Sequence, residues 1–110
     1  MRERQHRDQI NINIQVKDPD SGSGLGHITD LSIGGLSLSG SGDMPDPLPE
    51  ALLLKMPWPI NDLRELNVGV EPRWNEYSND GRWHVGFKVT RCGDKELVAL
   101  EQLVNRFQDQ

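Results

Sequence analysis

Apolar and polar residues alternate along residues 10–16, where Ile10, Ile12, Ile14 and Val16 are separated by Asn11, Asn13 and Gln15. A period of two sustained this long predicts a half-buried strand. Residues 17–24 (KDPDSGSG) then read as a loop. Residues 25–31 predict a second strand, and Leu36 and Leu38 between Ser37 and Ser39 a third. The turn at residues 32–35 makes these two a hairpin, with Gly34 and Gly35 free to take positive φ. Residues 40–50 are rich in Gly and Pro and read as a surface loop. Residues 51–56 predict a short apolar strand ended by Pro57 and Pro59, with Trp58 between them to cap one end of a barrel. Leu66, Val68 and Val70 alternate again, ahead of Pro72, Arg73 and Trp74. Residues 75–81 read as a turn, sharpest at Asp80-Gly81, and Trp83, Val85, Phe87 and Val89 give the last strand.

The period then changes. Leu97, Leu100, Leu103, Val104 and Phe107 fall within an arc of about 120° at 3.6 residues per turn, with Val98 off the stripe. A C-terminal helix follows over residues 94–108, with Gly93 or Asp94 as its N-cap. Its stripe is read as packing on the chain's own barrel, with a dimer interface as the alternative. About six short strands and one helix predict a mainly β fold, a small antiparallel barrel or sandwich.

Composition narrows the picture. The chain has 110 residues, suited to one domain, and 11 Gly and 7 Pro favour many turns over a helical bundle. No apolar run approaches the ~20 residues of a membrane span. The charged start MRERQHRDQ has no apolar stretch of the kind that marks a signal peptide. Cys92 is the only cysteine, so no disulfide framework and no thiol pair for zinc exists. A reducing, cytoplasmic setting is the expectation. The net charge is −5, but residues 1–7 carry Arg2, Arg4 and Arg7 against Glu3, a sum of +2. The remainder is then −5 − 2 = −7. A basic arm on an acidic body points to a local anion site rather than a nucleic-acid surface; the alternative is a solvated tail.

No phosphate-binding G-x-x-x-x-G-K-[ST], G-x-S-x-G or H-E-x-x-H motif occurs. His6, His27 and His84 lack metal-ligand spacing, and no sequence rule pairs two carboxylates as acid and base. An enzyme is therefore not expected. The segment Asp30-Leu31-Ser32-Ile33-Gly34-Gly35 is more informative. Asp30 and Ser32 would share one side of a strand. A carboxylate there can accept from the two donors of a guanine edge. Ser32 can bond a phosphate or brace the turn, and Gly35 lets backbone or ligand approach. A plain hairpin turn is the other reading. Arginines on a nearby arm bind phosphate bidentately and stack on purines, which suits a guanine nucleotide.

With these residues in place, the sequence resembles the PilZ domain family, whose members are bacterial receptors for cyclic di-GMP. Their signature is an R-x-x-x-R arm followed by [DN]-x-S-x-x-G. Asp30, Ser32 and Gly35 match the second part in full. Pro72-Arg73-Trp74 and Trp83-His84-Val85-Gly86-Phe87 are similar to the family's V-x-W and Y-x-x-G-x-x-F strand pair, and the closing helix fits. The arm departs from the pattern: with Arg7 in the second position, the first falls on Glu3, flanked by Arg2 and Arg4.

The resemblance implies a six-stranded antiparallel barrel with a C-terminal helix, spanning residues 1–110 as a single PilZ domain with an arm (1–9), barrel (10–91) and helix (94–108). It implies cyclic di-GMP as ligand, bound by Arg4 and Arg7, with Arg2 in reserve, and by Asp30, Ser32 and Gly35. It implies no cofactor and no metal. Ligand binding would order the arm and present a new surface to a downstream protein, in a monomer or dimer. The alternative of the same fold is a nucleotide-free adaptor, for example in type IV pilus assembly, acting through the surface around Trp58 or the helix. An oligonucleotide-binding barrel is disfavoured by the acidic body and by only six aromatic residues.

Overall fold

The computed structural model describes residues 13–108. Six antiparallel strands close into a barrel, and one helix follows. The strands are β1 (Gln15–Lys17), β2 (Gly24–Leu31), β3 (Gly35–Gly40), β4 (Ala51–Ile60), β5 (Leu63–Tyr77) and β6 (Trp83–Cys92), and the helix is α1 (Asp94–Gln108). Round the barrel the order is β1-β2-β3-β6-β5-β4, so the one non-sequential step on that side joins β3 to β6. The alternation seen in the sequence sends Ile14, Val16, Leu36, Leu38, Leu52, Leu54, Leu66, Val68, Val85 and Phe87 into one core. Of the first alternating segment, Ile10 and Ile12 lie outside the described residues. The described strand begins only at Gln15 and includes Lys17.

Two expected stops are not stops. β4 runs through Pro57 and Pro59 to Ile60. β1 pairs with β4 only as far as Lys55, and register with β5 resumes only at Ile60, so neither proline removes a ladder bond. β5 likewise continues past Trp74 to Tyr77, pairing Asn75, Glu76 and Tyr77 with Val85, His84 and Trp83. This ribbon projects beyond β4, whose register with β5 ends at Gly69. Trp74 to Tyr77 are exposed, so no apolar alternation marks them as strand. The turn is correspondingly short. Gly81 takes φ 83°, Ser78 N–H donates to Arg82 O at 2.9 Å, and Arg82 N–H donates to Asp80 Oδ1 at 3.1 Å.

The helix starts on Gly93, whose carbonyl accepts Leu97 N–H at 2.7 Å. Asp94 and Glu96 lie at its positive end and Arg106 at its negative end. Ala99, Leu100, Leu103 and Val104 are buried against the barrel, chiefly on β5, with smaller contacts to β2 and β4. The stripe therefore serves the chain's own barrel. Leu97, placed on that stripe by periodicity, is 37% exposed, because the first turn precedes the contact with the barrel. Trp58 is half-buried at the same seam, with the Arg106 guanidinium 5.0 Å from its ring centroid.

Two outcomes follow from this packing. Leu103→Ala destabilises by about 2–5 kcal/mol, whereas Leu97→Ala stays within about 1 kcal/mol, as read by denaturant unfolding. The Ser78 hydroxyl and the Arg82 N–H hold the Asp80 carboxyl below its ordinary pKa of 3.8. The carboxylate thus favours the folded turn above that value, and this is lost as pH falls through the lowered pKa. NMR titration of the Asp80 carboxyl gives a midpoint below that of an unstructured aspartate, and in Ser78→Ala it returns towards it.

Candidate functional site

The segment Asp30 to Gly35 sits where β2 gives way to β3. A register shift between Ile28 and Asp30 leaves Thr29 unpaired, so Ile28 and Leu31 both point into the core while Thr29 and Asp30 both face solvent. Leu31 is fully buried and anchors the end of the strand. Ser32 then folds the chain back. Both its N–H (2.8 Å) and its hydroxyl (3.1 Å) donate to the carbonyl of Gly35. Of the two roles open to Ser32, bracing the turn is the one the described residues display.

The glycines act differently from the sequence-based expectation. Neither Gly34 nor Gly35 has positive φ. Gly35 is needed for proximity instead, since a Cβ there would stand 2.8 Å from the Phe87 carbonyl oxygen on β6. One residue earlier, the Gly34 carbonyl accepts Val89 N–H at 2.9 Å. The turn is therefore locked to β6 as well as closed on itself.

Asp30, Ser32 and Gly35 share one shallow, open depression with Arg73, Trp74 and Lys88. The last three come from β5 and β6 and were not singled out as site residues in the sequence. A second register shift, between Pro72 and Trp74, re-aims β5 at this point. The Trp74 indole lies across Gly86, where any Cβ would run into the ring, and the ring is 47% exposed. Gly86 stands among Val85 and Phe87 in the alternating strand, but that it faces Trp74 emerges only from the β5–β6 register. Arg73 is 3.8 Å from Glu71 in a solvent-exposed pair, worth little in stability and readily exchanged for another anion. Ile33 stands 42% exposed on the turn.

The depression therefore joins a carboxylate, two cationic side chains, a backbone turn and an open aromatic face. It can accept from paired N–H donors, stack on a planar ring and attract phosphate. Arg2, Arg4 and Arg7, the other predicted site residues, lie outside the described residues. Of the histidines, His27 and His84 are half-buried on the outer wall, and His84 Nε2 lies 3.1 Å from Ser78 Oγ. Cys92 closes β6 half-buried, and burial, assisted by Glu96, raises its thiol pKa. Among the described residues, no group of three or more His, Cys, Asp or Glu could hold a metal ion, and no helix is long and apolar enough to cross a membrane.

Comparison with known proteins bears on this arrangement. No curated protein sequence matches the chain. Among solved structures, the chain is similar to the Bacillus subtilis inhibitor of motility MotI/DgrA, at 15% identity and a TM-score of 0.62 over 88% of this chain. It spans only 46% of that protein's length. It is also similar to the PilZ domain of CeSA from a cellulose-synthesizing bacterium, at 19% identity and a TM-score of 0.56, covering 88% of this chain and 92% of that one. A more distant likeness, with a TM-score of 0.48 and 13% identity, is to the Borreliella burgdorferi PlzA protein in complex with c-di-GMP, covering 96% of this chain and 49% of that one. The sequence model of the PilZ domain matches residues 1–106, and the chain belongs to the PilZ domain family.

Proposed function

We propose that the chain is a receptor module for cyclic di-GMP that passes the signal to a partner protein by rearranging its surface. The observation that carries this reading is the clustering of Asp30, Ser32 and Gly35 with Arg73, Trp74 and Lys88 in one open depression. Asp30 accepts from the N1–H and 2-amino donors of a guanine. The Trp74 face offers a stacking surface, and Arg73 and Lys88 supply positive charge for phosphate. Ser32 and Gly35 keep the turn in shape. Ile28 N–H donates to Ile14 O at 3.0 Å, so the chain joins the barrel beside the Thr29–Asp30 bulge. In this reading Arg7 and Arg4, seven and ten residues before Ile14 in the sequence, close on the phosphates, with Arg2 in reserve. Ordering them costs conformational entropy, so an arm with Glu3 in place of an arginine binds more weakly than a complete one. No bond is made or broken in this role.

Residues 1–110 act in this reading as a single unit in the cytoplasm. A nucleotide-free adaptor is the second reading, favoured by Glu3 and by the exposed Ile33, Trp74 and Tyr77.

Calorimetric titration of the chain with cyclic di-GMP separates the two. Saturable binding is expected, with no response to GTP. Arg7→Ala and Asp30→Ala each weaken it by about 1.5–3 kcal/mol, the range for hydrogen bonds to charged groups. Unchanged affinity in both variants overturns the assigned site. Absence of heat at several temperatures, together with unmoved NMR resonances around Asp30, overturns the receptor reading in favour of the adaptor.

A further inference from the structure

The outer wall carries a second polar hollow, separate from the depression around Asp30. The register places Gln15 beside His27, His27 beside Ser39 and Ser39 beside His84 across four adjacent strands. Gln15, His27, Ser39, Ser41 and Arg82 line the hollow, together with glycines of β2 and β3. Arg82 reaches from the β5–β6 turn onto β3, where its Nε donates to Ser39 Oγ at 3.2 Å. Ser39 is the buried polar residue of the wall, only 2% exposed. That bond fixes one edge of the guanidinium and leaves its outer N–H groups for another acceptor.

No such acceptor is supplied by a carboxylate. Among the described residues none forms an ion pair with Arg82, although its charge helps to hold the Asp80 carboxyl low. No Asp or Glu lines the hollow, in a chain with 17 of them. The contrast with a larger hollow near the β3–β4 loop is direct, since that one is lined by five carboxylates and a single arginine. The floor is also unusually bare. A Cβ on Gly40 would enter the Trp83 ring, and one on Gly26 would enter the Ser39 carbonyl. Behind this floor the Trp83 indole is 2% exposed, and its N–H has no acceptor among the described residues.

We propose that this hollow binds a phosphate group, at a site distinct from the surface of residues 30–35. A guanidinium, an imidazole, a carboxamide and two hydroxyls stand on three strands, the start of the loop after β3 and the β5–β6 turn. They approach from several directions, which suits a tetrahedral oxyanion better than a planar carboxylate. The arginine is already positioned by Ser39, so less side-chain freedom is lost on binding. The phosphate comes either from a free phosphate compound or from the cyclic dinucleotide itself.

The test is an NMR titration of the whole chain with inorganic phosphate at constant ionic strength, with chloride as the control anion. Saturable shifts are expected for His27, Ser39, Ser41 and the Arg82 Nε–H, with none from chloride. Arg82→Gln abolishes them. Arg82→Lys, which keeps the charge but not the fork, weakens binding about tenfold. His27→Gln, which removes neither partner of the Arg82–Ser39 bond, also weakens it and guards against a folding defect in the first variant. Asp30→Ala leaves the response intact, which keeps this result independent of the receptor reading. Displacement of phosphate by cyclic di-GMP assigns the site to the dinucleotide, and simultaneous binding assigns it to a separate phosphate; both outcomes support the site. Shifts that do not saturate, that chloride reproduces, that persist in Arg82→Gln, or that vanish in Asp30→Ala overturn it.

Discussion

Barrel closure rests on how nearly β3 can approach β6. These strands are far apart in sequence, and their pairing, together with that of β1 and β4, converts two rows of hairpins into a closed wall. Both ends of the contact exclude a side chain. At one end Gly35 lies against the Phe87 carbonyl, and at the other Gly40 lies on the Trp83 ring. Between them Leu36 and Leu38 point inward opposite Phe87 and Val85, so backbone bonding and core packing are satisfied by the same register. A closed barrel has no free edge between these strands, which removes a route to intermolecular pairing.

The candidate site is a by-product of that closure. The turn that begins β3 must meet β6 in order to start the ladder, and Gly34 O to Val89 N–H makes the meeting rigid. The same approach brings Lys88 beside Gly35 and sets Phe87 against Pro72, immediately before the bulge that presents Trp74. Residues from four strands and the short β2–β3 turn thus converge without a long loop. Their side chains remain accessible because both bulges, at Thr29 and at Arg73, turn consecutive residues outward.

What was legible in the sequence follows from this construction. Strands with one face in the core betray themselves by alternation, which is why Leu36, Leu38, Val85 and Phe87 could be assigned an inward face. Asp30, Ser32 and Gly35 were legible because they are neighbours in the chain. Arg73, Trp74 and Lys88 reach the same place only through the register of β5, β6 and β3, which local spacing does not encode. The continuation of β4 through two prolines, and of β5 through Asn75 and Glu76, was hidden for a related reason. The proline segment of β4 has no ladder partner on either side, so the prolines cost no bond, and the β5 segment has β6 alone as neighbour and no buried face to impose a pattern. Leu97 shows the opposite error, since a residue can satisfy helical periodicity and still stand outside the contact.

The three tryptophans occupy three different environments. Trp83 is enclosed in the barrel, Trp58 is half-covered beneath Arg106 at the helix seam, and Trp74 lies open on Gly86. Indole emission moves to shorter wavelength as water is excluded and is quenched by whatever reaches the ring. The protein therefore contains its own set of optical probes, one for the core, one for the docking of the helix and one for the exposed surface. Chains retaining one tryptophan at a time would resolve loosening of the barrel, detachment of the helix and events at the surface as separate spectral signals.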